Sequence, residues 1–384
     1  MPTTSSAERQ LRVLDALWSA IDDQYVYKDF NGVDWKAAHD ETRAKIESGL
    51  TDDEFVKAVR AMTGKLPAGT VQWQTREERI AGQTSNTQTY EGIGAFVSVR
   101  GAPKPHVILL SVMKDSPAAK AGLSAHDSIY AIDGVAVKAE EGLDVIQRVR
   151  GPAGTMVKLT VQSPGGSSRD VDVKRGQLTA GAELLGGTVT GTHIAYFLIP
   201  TQPPDKMADN LVAALQSMKQ AGTIAGIILD LRIARTGAQW PLAEFLTLFG
   251  NGKLGNTYTR EGEQPLDITG KDFFGSQAVP LVLLVGPDTE GAPEMLAGAL
   301  QDISRAKVVG LPTLGEVEGT SETALPDGSR VFVASSSFVT AKGRDLGLKG
   351  VEPDEVVKSD WDEVSDTNDP VLDKAVEVVR KIGS

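Results

Sequence analysis

The chain has 384 residues, 41% hydrophobic and 23% charged, the balance of a globular protein with chain enough for two or three domains. Lys and Arg number 39 against 51 Asp and Glu, a formal net charge of −12, which argues against nucleic-acid or anionic-membrane partners. Cysteine is absent, and this excludes disulfides, thiol nucleophiles, thiolate zinc sites and iron–sulfur clusters. The four histidines, His39, His106, His126 and His193, show no HxH or HExxH spacing, so no metal site is expected. No GxxxxGK[ST] loop and no GxGxxG after a strand occurs, so no nucleotide cofactor is expected either. No run of 18 apolar residues occurs to span a membrane. The opening MPTTSSAERQ has neither a basic n-region nor an apolar h-region, which leaves a cytoplasmic protein or one whose signal has been removed.

Residues 8–63 read as helix. Leu11, Leu14, Leu17, Trp18 and Ile21 recur at helical spacing, as do Phe55, Val56, Val59 and Met62. Thr51 three residues before Glu54 forms a capping box. The aromatic stretch YVYKDFNGVDW (25–35) lies between these helices. From 90 to 176 the pattern turns to short β-rich runs at 94–99, 107–112, 128–132, 156–162 and 169–174, with one helix predicted over 140–150. From 188 onward strands alternate with helices. Strands are predicted at 194–199, 224–231, 279–285 and 307–309, helices at 206–221, 240–248 and 293–304, and a hairpin around LPDG (325–328). That alternation implies a sheet covered by helices.

The strings YEGIGAFV (90–97), SPAAKAGL (116–123), DSIYAIDG (127–134) and VIQRVRGPAGTMVKLTV (145–161) resemble a PDZ domain. In that reading Gly92, Ile93, Gly94, Ala95 and Phe96 form a glycine-bearing turn whose N–H groups receive a peptide carboxylate, and Val145 and Val149 form the facing wall. Arg148 and Arg150 are expected to point away from that wall. The rest of the chain resembles the C-terminal processing peptidases, also called tail-specific proteases. The carrying strings are DQYVYKDFNGVDW (23–35), GIILDLR (226–232), PLVLLVG (280–286), EMLAGALQDISRAKVVGLPTLG (294–315), LPDGSRVFV (325–333) and GRDLGLKGVEPDEVV (343–357). The resemblance implies a multidomain α/β protein. Its parts are a helical N-terminal cap (1–88), a PDZ β-sandwich or barrel insert (89–177) and a ClpP/crotonase-like α/β core (178–384). It also implies an extracytoplasmic location, periplasmic or at the cell surface.

The family's chemistry uses a serine nucleophile at a helix entrance and a neutral lysine as base. In TEGAPEM (289–295), Gly291 falls at the serine position, followed by Ala292. In TLGEVEGT (313–320), Glu316 falls at the lysine position and Thr320 at that of a glutamine. The glycine-bearing turn that shapes the family's oxyanion hole reads LDLRIARTGA (229–238), with Thr236 before Gly237, and LPAGTVQW (66–73) lacks the family's Asp and His. Ser276, Ser304, Thr289, Thr320 and Ser335–Ser337 offer other hydroxyls, with Lys307 and Lys342 as possible bases. No spacing marks a dyad among them, and Thr289 reads as a helix N-cap. Glu316, Glu318 and Glu322 read as solvated, and Trp73, Trp240 and Trp361 as buried aromatics.

The expectation is therefore a catalytically inactive pseudopeptidase. It would bind peptide or protein C-termini through the PDZ groove, or act as a scaffold beside an active relative or in a larger assembly. The alternative is an active serine-type endopeptidase with non-standard catalytic residues.

Overall fold

The computed structural model describes residues 6–85, 89–102, 104–179, 183–236 and 240–383. The chain divides into two compact units. One comprises Met1–Thr87, Gly255–Leu266 and Glu316–Leu348, the other Gln88–Leu254, Asp267–Gly315 and Lys349–Ser384.

In the first unit the predicted helical stretch is three helices, Ser6–Gln24, Trp35–Glu47 and Asp52–Thr63. The last begins with the expected capping box, in which the Thr51 hydroxyl accepts from Glu54 N–H and the Glu54 carboxylate accepts from Thr51 N–H. Each helix puts one apolar stripe inward, so Leu14, Leu17, Ile21, Ile46, Val59 and Met62 share one core with Trp73, Val331 and Val333. The aromatic stretch between the helices fills the same core. The Tyr25 and Phe30 rings stack at 5.7 Å, Phe30 and Trp35 at 5.9 Å. The sheet beneath is organised by the long strand Arg330–Thr340, which pairs antiparallel with Val71–Gln74, Gly319–Ala324 and Gly252–Thr259. The LPDG hairpin is the turn between Gly319–Ala324 and Arg330–Thr340.

The second unit contains the PDZ domain and the α/β core. The PDZ sheet runs in the order Ala95–Arg100, His106–Val112, Ser128–Ile132, Met156–Gln162 and Arg169–Lys174, all antiparallel. Val107, Leu109, Ile129, Val157, Leu159 and Val161 fill its interior. Chain entry and exit are joined by a two-stranded ribbon, Thr89–Gly92 against Gly176–Thr179. The helix predicted over 140–150 is instead a 3-10 segment, Ala139–Val145, followed by one helical turn, Ile146–Val149. Gly142, at φ +49° and ψ −139°, breaks the helical path.

The core sheet has the order Leu185–Thr188, Ile194–Leu198, Gly226–Asp230, Leu281–Val285, Lys307–Gly310 and Glu355–Val356, parallel except for its first pair. Gly226–Asp230 and Leu281–Val285 are buried throughout, as central parallel strands must be when helices cover both faces. Helix Ala292–Asp302 follows the central strand Leu281–Val285, so its N-terminus lies beyond the carboxyl ends of the parallel strands, where ligands of open α/β sheets bind. Among the described residues no helix is long and apolar enough to cross a membrane.

Candidate active site and peptide groove

Helix Ala292–Asp302 starts at Gly291, whose backbone is at φ +73° and ψ −121°, a conformation that favours glycine. Gly291 N–H donates to the Glu294 carboxylate at 3.0 Å. Glu294 is fully buried; it also accepts from Gly315 N–H at 2.7 Å and from the Thr313 hydroxyl, which in turn accepts from Val351 N–H at 2.8 Å. One carboxylate thus ties the helix entrance to the turn 313–315.

Thr236 closes the entrance from the other side. Its hydroxyl accepts from Ala292 N–H at 2.6 Å and donates to the Glu290 carbonyl at 3.2 Å. Its own N–H also donates to Glu290 O, at 3.1 Å, and residues 235 and 290 form a parallel bridge. The structure therefore brings Gly291, Ala292 and Thr236 together. Gly237 lies outside the described residues. Glu316 and Thr320 are exposed and belong to the first unit. Thr289 is not the N-cap: it is 1% exposed, donates to Leu231 O at 2.9 Å and accepts from Gly286 N–H at 3.0 Å. Two residues too early to cap, its hydroxyl instead fastens the loop to the end of strand Gly226–Asp230.

Charge around the entrance is organised by buried Asp288, which receives Arg100 at 2.6 Å from the PDZ sheet and Arg235 at 2.6 Å from the loop carrying Thr236. Burial pushes the Asp288 carboxyl up, but the two guanidinium groups outweigh it and hold the group below its ordinary value. At the end of Gly226–Asp230, Asp230 is fully buried and pairs with Arg232 at 2.6 Å. Arg232 also reaches Asp369 at 2.6 Å, and the Tyr196 hydroxyl donates to Asp230 at 2.8 Å. This network anchors the loop that leads to Thr236.

In the first unit Glu318 is not a solvated glutamate. It accepts from the Tyr27 hydroxyl, and burial raises its carboxyl above the usual range. Gly347 packs so tightly over this contact that an added Cβ would lie 2.1 Å from Tyr27 Oη. Glu322 instead pairs with Arg330, while Trp73, Trp240 and Trp361 are buried as expected.

The PDZ groove is a cavity of about 210 Å³ lined by Gly92, Ile93, Gly94, Ala95 and Phe96 along one edge, with Val107 and Ile129 among its other apolar residues. The facing wall differs from expectation. Val145 turns into the PDZ core and is fully buried, so Ile146 and Val149 line the cavity. The broken helix accounts for this: the helical turn starts only at Ile146, so Ile146 and Val149, three residues apart, share its face. Arg150 also lines the cavity, contrary to the helical expectation, while Arg148 is held on Glu141 at 2.8 Å and on the carbonyls of Ile132 and Val135. Gly94 has φ +81°, and a Cβ there would come within 2.4 Å of Ser116 Cβ.

The model of peptidase family S41 matches residues 193–357, the Tricorn protease C1 domain 7–64 and the PDZ domain 108–163. The C-terminal processing peptidase of Tetradesmus obliquus chloroplasts is 29% identical over 370 residues, covering 92% of this chain and 78% of that protein. Along nearly its whole length the chain is similar to C-terminal processing peptidases, and residues 108–163 match a PDZ domain. A further relative, the carboxy-terminal processing protease CtpA of Bacillus subtilis, is 27% identical over 82% of this chain and 66% of its own length. The structure of a photosystem II D1 C-terminal processing protease superposes with a TM-score of 0.67 at 27% identity, covering 99% of this chain and 98% of that one. The expectation of an inactive pseudopeptidase or scaffold is corrected by these findings. Relatives aligned along nearly the whole chain are named as processing peptidases and proteases, which favours the alternative of an active enzyme.

Proposed function

We propose that this protein is a peptidase acting on polypeptide C-terminal regions, with the PDZ groove engaging a free C-terminus and a hydroxyl other than one at 291 supporting hydrolysis. The observation that carries this reading is the match over 92% of the chain to a C-terminal processing peptidase. Among the described residues at the helix entrance the best-placed hydroxyl is that of Thr236, on the first N–H of an eleven-residue helix. Partial positive charge at that N-terminus favours an anionic oxygen, on the hydroxyl or on a tetrahedral intermediate. The Thr236 proton is held by a main-chain carbonyl, which orients it but is not a base. A missing positioned base costs about 10²–10⁴-fold, so slow turnover is expected. Cleavage of unfolded casein by the wild type, retained in Thr236→Ser and lost in Thr236→Ala, supports this reading. Wild-type turnover no higher than that of Thr236→Ala overturns it.

The groove is tested separately. An apolar-ended peptide with a free carboxylate is expected to bind at roughly micromolar affinity, because one added strand buries little area and must be ordered on binding. Its C-terminal amide should bind at least about tenfold more weakly, since the loop N–H groups then lose their anionic partner. Gly94→Ala should abolish binding, because it strains the loop at positive φ and drives it into Ser116. Calorimetry with both peptides checks this, and equal affinities would make the groove structural.

A further inference from the structure

The segment 360–366 docks the PDZ domain onto the α/β core. Trp361 is buried against Ile108, Leu110 and Ile233, and its indole N–H donates to Leu110 O at 3.0 Å. The His126 ring lies 4.2 Å from the indole and its Nδ1 donates to Trp361 O at 2.7 Å. The Arg232 guanidinium of the core lies 5.0 Å from the same ring. Arg100 binds Asp360 at 2.7 Å.

His106 is a second histidine of this interface, beside His126. It is 5% exposed and lies on the strand paired with the groove strand, directly opposite Arg100. Nδ1 faces Lys104 O at 2.7 Å and Nε2 faces Asp362 Oδ2 at 2.8 Å. A carbonyl and a carboxylate can only accept, and a neutral imidazole carries a single N–H. Both contacts are hydrogen bonds only when the ring is doubly protonated.

The charged and titratable groups facing the ring are four. Asp362 of the docking segment also accepts from the Ser128 hydroxyl at 3.1 Å. Arg100 of the groove strand is neutralised by Asp288 and Asp360. Lys104, on the loop before the His106 strand, places its ammonium 4.3 Å from the Tyr130 ring. Tyr130 itself packs 5.1 Å from the imidazole.

We propose that His106 is a protonation-dependent clamp, holding the PDZ domain on segment 360–366 as an imidazolium and loosening it when the ring loses its proton. Deprotonation leaves a nitrogen lone pair facing an oxygen, so one attraction becomes a repulsion inside a buried interface. Burial pulls the ring's pKa down, but the Asp362 carboxylate and the Lys104 carbonyl more than offset it, and the net direction is above 6.5. The stabilisation is therefore complete below the ordinary histidine value and fades as pH rises through the raised one. Asp362 is held below its ordinary value, so at the acid end the pair is lost only as pH falls through that lowered value.

Hydrogen exchange on the full chain tests the clamp. Between about pH 6 and about pH 9, protection of 106–112 and 360–366, corrected for intrinsic exchange, should fall by up to about tenfold per pH unit between the ordinary and the raised histidine values and level off above the latter. His106→Gln should show weaker protection with no such slope. Asp362→Asn keeps an acceptor but removes the charge, and should move the transition to lower pH, which keeps the test valid if His106→Gln fails to fold. Ring-nitrogen NMR should find His106 doubly protonated at neutral pH. A neutral ring at neutral pH, a pH-independent wild type, or a His106→Gln slope matching the wild type would each overturn the proposal.

Discussion

Replacing Asp230 with alanine is expected to destabilise the second unit by about 3–5 kcal/mol. Asp230 ends a wholly buried strand, and its carboxylate meets the Arg232 guanidinium and the Tyr196 hydroxyl without access to water. Its removal leaves a 6%-exposed Arg232 with Asp369 as its carboxylate partner and takes away the acceptor of the half-buried Tyr196 hydroxyl. A buried cation stripped of its partner costs far more than the pair contributes in place. Urea denaturation followed by tryptophan fluorescence should show the midpoint falling by about 1 M or more. Trp361 reports on the same place, since Arg232 lies against its ring. A midpoint unchanged within error would mean that water or a rearranged Asp369 takes over the role.

Glu294→Ala is expected to act on both stability and chemistry. Three donors, Gly291 N–H, Gly315 N–H and the Thr313 hydroxyl, converge on this fully buried carboxylate. Each donor left without an acceptor costs about 1–3 kcal/mol. Glu294→Gln should be poor as well, because its amide NH2 would face an N–H rather than accept from one. The helix entrance then loses its fixed distance to the turn 313–315, so casein turnover should fall by at least about 10²-fold, the size of effect that misplacing reacting groups produces. Thermal unfolding measured beside turnover separates the effects. A folded Glu294→Ala protein with wild-type turnover would show that Glu294 has no part in positioning the site.

Much of the fold could be read from the residues. The strands Ser128–Ile132, Met156–Gln162 and Arg169–Lys174 lie where the β-rich runs between Gly, Pro and Asp turns placed them. The capping box at Thr51 is local chemistry and held for the same reason. The hairpin Gly252–Thr259 and Glu263–Ile268 was not predicted. GKLGNTYT carries two glycines and few large apolar residues, and becomes a strand by pairing with Arg330–Thr340, a partner far along the chain. The helix over 140–150 was overcalled because an apolar pattern says nothing of one glycine's φ.

At the site, the family resemblance placed Gly291 and Glu294 at a helix entrance. It did not show the Thr236 hydroxyl on Ala292 N–H, a contact across 56 residues that exists only because two parallel strands end side by side. The same holds for Ile146 replacing Val145 in the groove and for Glu318 meeting Tyr27. Similarity between whole proteins corrected the functional reading, which had rested on single positions.

The ribbon at the foot of the PDZ domain has a consequence for how such a chain is assembled. Gly92 and Gly176 face each other in one antiparallel ladder, so the domain's first and last residues lie side by side. Excising everything between them would leave two strand ends about 5 Å apart, a gap that a two-residue turn closes. The module is in this respect a cassette. Evolution or an engineer can gain, lose or exchange it at a single locus without rerouting any strand of the sheet that builds the helix entrance.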